Sequence, residues 1–291
     1  MSNPVFNADS FQSASQNFNA SAGATAGAGA GQGGWGAPTA GTHVANRPES
    51  DGPVSGWQKA MTVNGTITAS LVLLTILLVS AAFGWSAATG PTLVSNEGVQ
   101  TETYQFPAIA MLGIFVGFGA VILANFKPKL AKFLGPVYAI AYGFAVGAIS
   151  KGYETFYNGI VIQAVLATAS VFLVMLVLYR TRIIKVTDKF RRAVIFATLG
   201  VMVLYLGSFV FSLFGGSLPF LNGDNLVLSI LFSVFVCGLA AMNLALDFDF
   251  IERATNAGMP KEYEWVAALG LVVTLVWLYL ELLRLLSYLR Q

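Results

Sequence analysis

The chain begins polar and then turns apolar seven times. Residues 1 to about 56 are rich in Ala, Gly, Ser, Asn and Gln, as in "NASAGATAGAGAGQGGWGAPTAGT". Such a segment buries too little apolar surface to offset its ordering entropy, so residues 1–56 read as a disordered tail. It lacks the basic start and apolar run of a signal peptide. Trp35 stands within it as an isolated aromatic. Across residues 57–291 the apolar runs fall at about 65–86, 106–126, 133–150, 159–179, 193–214, 226–247 and 266–288. Most of them reach the roughly 20 residues a helix needs to cross a bilayer core. Alternation of the kind that builds a membrane barrel is not visible, and lipid tolerates no unpaired backbone groups. The pattern predicts an all-α membrane protein, a bundle of seven transmembrane helices behind the tail.

Local signals agree with those runs. Pro107 and Pro136 fall near helix starts, where proline is tolerated. Trp85, Tyr104, Trp265 and Tyr288 fall near the predicted ends, the place of interface aromatics. The third run is short, and its Gly143, Ala145, Gly147 and Ala148 suit close helix packing. Cations alternate from loop to loop. Lys127, Lys129 and Lys132 follow the second run, and Arg180, Arg182, Lys185, Lys189, Arg191 and Arg192 follow the fourth. Arg253 and Lys261 follow the sixth, whereas Lys151 stands alone in the other three loops. The positive-inside rule then places the N-terminus in the cytoplasm and the C-terminus outside.

Composition narrows the functions. Apolar residues make up 56% of the chain and charged residues 10%, against about 25% charged in soluble domains. Net charge is +2, and no basic cluster carries interleaved aromatics, so nucleic acid is not an expected partner. The single cysteine, Cys237, lies in an apolar run and reads as a small buried hydrophobe. The single histidine, His43, lies in the tail. Zinc sites and Cys–His or Ser–His pairs therefore have no raw material in the membrane part, and the glycine-rich and Walker nucleotide patterns are absent. The expectation is a protein that is not an enzyme and holds no resident cofactor.

Acids inside apolar runs are the candidate chemistry. Glu97, Glu102, Glu154 and Asp224 are expected in outer loops, and Glu262 and Glu264 in an inner one, as ordinary solvated charges. "LALDFDFIER" closes the sixth run with Asp247, Asp249 and Glu252 set among phenylalanines. Asn243 and Asp247 share a helix face, while Asp249 and Glu252 point elsewhere, toward Arg253 and water. An acid-tipped helix end is unfavourable, because a helix C-terminus repels negative charge. Glu281 lies about 15 residues into the last run, over 20 Å from its start, with Arg284 on the same side as a possible partner. Taking a carboxylate out of water favours its protonated form. Deprotonated, it offers the hard oxygen that Ca²⁺ prefers.

These residues resemble the Bax inhibitor/YccA-like membrane proteins, the transmembrane Bax-inhibitor-motif family, and look most like its actinobacterial branch. The resemblance covers about residues 57–291. It is carried by "VYAIAYGFAVGAISKGYETFYNGIVIQAVLATASVFLVMLVLY", by "AAMNLALDFDFIE" and by "VTLVWLYLELLRLLSYLR". It implies a bacterial cytoplasmic-membrane protein whose seventh helix is ringed by the other six. It also implies a pH-sensitive calcium leak gated by acids of helices six and seven that share a proton. By position these are Asp247, with Asp249 as fallback, and Glu281; Asn243 and Arg284 are supporting polar groups. Ca²⁺ would be held only in transit, by Asp247 and Glu281. Glu281 stands where the family usually has Asp, and the interval between the acids is longer than the family's. Direct pairing requires Asp247 to lie deeper in helix six, or part of 253–265 to lie along the membrane interface. A second reading is a membrane regulator that binds a partner complex such as a membrane protease, with the tail as a contact arm.

Overall fold

The computed structural model describes residues 60–96, 99–214 and 225–291. The expected tail with Trp35 and His43, together with Glu97 and Asp224, lies outside the described residues. Seven helices cross the described chain: α1 Val63–Ala87, α2 Ala108–Phe126, α3 Ala131–Phe156, α4 Ile160–Arg180, α5 Asp188–Leu213, α6 Leu226–Asn256 and α7 Tyr263–Leu289. All seven are long and apolar enough to span a membrane. Between α1 and α2 runs an antiparallel hairpin, β1 Thr89–Asn96 and β2 Val99–Gln105, paired Asn96 to Val99 and Thr92 to Thr103. The apolar pattern does not predict it. Its strands are polar on both faces and carry no alternation for a period of two to reveal.

Three helices outrun the expected spans. α5 begins at Asp188, so Lys189, Arg191 and Arg192 belong to its first turns and not to a loop. α3 continues to Phe156, so Lys151 and Glu154 belong to its last turns and not to a loop. The Glu154 carboxylate accepts from the backbone N–H of Gly159 (2.6 Å) and Val161 (3.1 Å), satisfying the start of α4. α6 continues to Asn256, so the acids of "LALDFDFIER" lie inside the helix and do not tip it. Hydropathy marks where lipid ends, which is a different place from where hydrogen-bonded helix ends. The 31 residues of α6 span about 46 Å, more than the ~30 Å hydrocarbon layer. Its charged last turns therefore project past the apolar slab. Pro107 caps α2 as expected, whereas Pro136 sits in the second turn of α3.

The seventh helix is central. Of its most apolar stretch 61% is buried in protein, against 11% for α5, which packs mainly on α6. α7 contacts α6, α1, α4 and α3. Leu269, Val272 and Val276 of α7 share one core with Leu73 and Leu77 of α1 and Tyr138 of α3. Leu271 and Leu278 face the other way, onto Leu244 and Phe248 of α6 and Met175 of α4.

Small residues bring α1 and α3 together. A Cβ at Gly147 would overlap the carbonyl oxygen of Ala81, and one at Gly84 would overlap that of Phe144. Gly143 lies against Leu77 and Ser80 in the same seam. Ala145 and Ala148 instead pack with Ala88 and Ala110 near the hairpin. Without side chains in the way, backbone meets backbone, as membrane helices that lack a hydrophobic driving force require.

The bundle has two unlike ends. At one, Ala60 bridges Pro260, and Glu264 of α7 accepts from the Thr62 backbone N–H and hydroxyl, both at 3.0 Å. The α2–α3, α4–α5 and α6–α7 connections with their cations share this basic end. At the other end Tyr104 of β2 donates to Ala148 O (2.5 Å), and Lys151 lies over the Trp85 ring at 5.1 Å. Glu264 is a correction to the expected loop charge. It is 4% exposed and sits in the first turn of α7, where a carboxylate meets unpaired helix N–H groups.

Gly147→Ala should push α1 and α3 apart and destabilise the protein by about 1–3 kcal/mol. Gly238→Ala, with nothing within 4 Å of the added carbon, should leave stability unchanged. Thermal unfolding of both variants in detergent checks the contrast, and equal midpoints would contradict the close-packed seam.

Candidate functional site

α6 and α7 carry the candidate acids, and the structure gives each its own neighbours. Asp247 of α6 faces α7 at Gly270, where an added Cβ would lie 3.6 Å from its Oδ1. The absent side chain makes the room. Thr274, one turn further along α7, has its hydroxyl beside the same carboxylate. Asp247 Oδ2 is buried and has no hydrogen-bond partner. Asn243 lies one turn before it but faces α5, donating to Thr198 Oγ1 and to Leu239 O, both at 2.9 Å.

Glu281 lies elsewhere on α7. At ~1.5 Å per residue it is about 16 Å beyond Gly270 and about 10 Å beyond Thr274. It is 5% exposed. Tyr205 of α5 donates to Glu281 Oε1 at 2.6 Å, and Arg284 Nη1 donates to the Tyr205 oxygen at 2.7 Å. Arg284 Nη1 itself is 3.7 Å from Glu281 Oε1, so the tyrosine hydroxyl bridges the two charges. The guanidinium carbon also lies 5.1 Å from the Tyr205 ring centre, within cation–π range. Glu281 Oε2, like Asp247 Oδ2, is buried without a partner.

Asp247 does lie deeper than an α6 terminus, about 14 Å short of Asn256. That depth still does not bring it to Glu281. The two carboxylates are separate stations along α7, and no hydrogen bond joins them.

The other acids of "LALDFDFIER" are held by cations. Arg191 Nη2 of α5 donates to Asp249 Oδ2 at 2.6 Å, and Arg253 Nε reaches the same carboxylate at 2.9 Å. Asp249 therefore has the Arg253 partner expected of it, but it is buried rather than bathed in water. A carboxylate with two guanidinium partners is a poor substitute for Asp247 as an open ligand. Glu252 accepts from Tyr179 (2.5 Å) and Arg182 (2.7 Å) at the surface, where an ion pair contributes little. Among the described residues no three His, Cys, Asp or Glu side chains gather around one point.

The family model described as Bax inhibitor 1 like matches residues 3–291. The chain belongs to this family. No curated protein and no solved structure matches it. The seven apolar helices and the family match together fit an integral membrane protein.

Sequence reasoning finds the acids and Arg284 but not Tyr205, Thr198, Arg191 or Tyr179. Tyr205 carried one usable signal. It is a phenol in the apolar stretch "VMVLYLGS", and a phenol held away from water needs a hydrogen-bond partner. Arg191 was visible only as one of many loop cations.

Tyr205→Phe removes the bridge between Glu281 and Arg284. It should lower stability by about 1–3 kcal/mol, whereas Phe209→Leu, half-exposed on the same helix, should change it little. Paired thermal-unfolding curves in detergent test this, and an unshifted Tyr205→Phe midpoint would mean the bridge is not formed.

Proposed function

We propose that this protein is a passive, pH-sensitive cation leak, with calcium among its ions, in which Asp247 and Glu281 act as successive stations along α7. The observation that carries the reading is the pair of orphaned oxygens. Asp247 Oδ2 and Glu281 Oε2 are both buried without a hydrogen-bond partner, with Thr274 beside the first carboxylate and Trp277 beside the second. A buried polar atom without a partner is costly unless a proton, a water or a cation meets it. Ser233 Oγ, on the face of α6 that also bears Asp247, is another such atom, as are Ser229 Oγ and Thr255 Oγ1 of the same helix. The Asp247 and Glu281 oxygens lie at different depths beside α7 rather than converging on one point.

A deprotonated carboxylate attracts a hard cation and a protonated one does not. Two stations about 10–16 Å apart hold a cation in turn, which suits passage better than tight capture. The cation-rich end faces the cytoplasm in this reading, by the positive-inside rule. The N-terminus is then cytoplasmic and the C-terminus outside. Ions entering from the basic end would meet Asp247 first.

Calcium uptake into proteoliposomes at pH 6, 7 and 8 tests the proposal. Flux should rise with pH as the carboxylates lose their protons. Asp247→Asn and Glu281→Gln should each blunt the rise, and because the stations are separate their effects should add. Absence of flux above empty liposomes, from protein shown to be folded, would reject the leak. The alternative is then a regulator of a partner membrane complex such as a protease, for which deletion of residues 1–56 should abolish partner capture.

A further inference from the structure

The hairpin end of the bundle holds an open vestibule of about 470 Å³. It lies between β2, the last turns of α3 and the last turns of α7. Tyr104, Phe106, Tyr153, Phe156 and Tyr157 give it aromatic walls. Arg284 is the one charged side chain among its lining residues.

Arg284 is anchored from the side away from the vestibule. Its Nη1 donates to Tyr205, and the same nitrogen lies 3.7 Å from Glu281 Oε1. That separation is well beyond the ~2.7–2.9 Å of a charge-assisted hydrogen bond. A guanidinium has five N–H donors in a planar fork. One nitrogen is engaged inward while the side chain, 28% exposed, lines the cavity.

Among the described residues, two further cations lie near this end of the bundle. Lys151 of α3 lies over Trp85, and Arg290, just past α7, donates to Asn158 O and Gln163 Oε1, both at 2.8 Å. Glu154, the nearby acid of α3, already accepts two backbone N–H groups. Glu281 stands behind Arg284 and is not among the lining residues.

We propose that the vestibule binds a small organic carboxylate with an apolar, preferably aromatic, body. Arg284 takes the carboxylate through its fork, and the tyrosine and phenylalanine walls take the ring edge-to-face. The proposal stands apart from the leak reading, because binding at Arg284 needs no ion to cross.

The test uses the full chain in phosphatidylcholine nanodiscs with 4-fluorobenzoate as probe, read by fluorine NMR line broadening. The expected result is saturable binding, displaced by benzoate and not by benzamide, which has the same shape without the charge. Arg284→Lys keeps the charge but loses the fork and should weaken binding about tenfold, equivalent to ~1.4 kcal/mol. Arg284 also props Glu281, so that variant risks misfolding. Phe156→Ala, on a wall that is 55% exposed, should fold normally and weaken binding several-fold. Broadening equal to that of empty nanodiscs, or unaltered in folded Phe156→Ala, would overturn the proposal. Loss of probe binding when phosphatidylglycerol replaces part of the lipid would overturn the soluble-carboxylate reading and identify a lipid headgroup as the anion.

Discussion

Ions cannot remain in hydrocarbon unless protein surrounds them, and α7 carries a carboxylate and a guanidinium far from its first turn. The arrangement of the other helices follows from that requirement. α1, α3, α4 and α6 take the faces of α7, leaving it the most enclosed of the seven. Enclosure at that density needs thin neighbours. The α1–α3 seam supplies them by omitting side chains at Gly84, Gly143 and Gly147. The acids and the glycines are thus two parts of one solution: charge inside the bundle, and helices close enough to keep lipid out.

The two ends of the bundle use charge differently. At the basic end three acids are held by partners: Asp249 by two arginines, Glu252 by an arginine and a tyrosine, Glu264 by the start of α1. These contacts tie α1, α4, α5 and α6 to one another or to α7. Further in, Asp247 and Glu281 keep an oxygen unpaired. Saturated acids hold helices in place, and unsaturated acids are available for chemistry. Proximity in sequence hides this difference, since Asp247 and Asp249 are separated by a single phenylalanine.

The spans were legible in the sequence because lipid imposes a long, plain apolar signal. The central position of α7 came from the family resemblance, and Glu281 with Arg284 agreed with it. Helix ends were less legible. Lys151 and Glu154, and the turns after Asp247, are helical although they are charged, because backbone hydrogen bonding does not stop at the edge of the hydrocarbon. The hairpin is not legible because its sequence is mostly polar and carries no apolar alternation. Most of the site's partners escaped too. Tyr205, Thr198 and Arg191 sit on α5, whose spacing from the acids along the chain reveals nothing about contact across it. Glu264 reads as a loop charge in the sequence because its partner, Thr62, lies some two hundred residues earlier.

α5 is the helix least embedded in protein, with 11% of its apolar stretch buried. Yet Arg191 near its start holds Asp249, Thr198 in its middle meets Asn243, and Tyr205 further on joins Glu281 to Arg284. One lightly held rod touches polar groups at three depths. Its other flank lies against lipid, so bilayer thickness and lateral pressure act on it more directly than on any enclosed helix. A slide or tilt of this rod would alter all three contacts together, giving the membrane a mechanical hold on groups that it never touches.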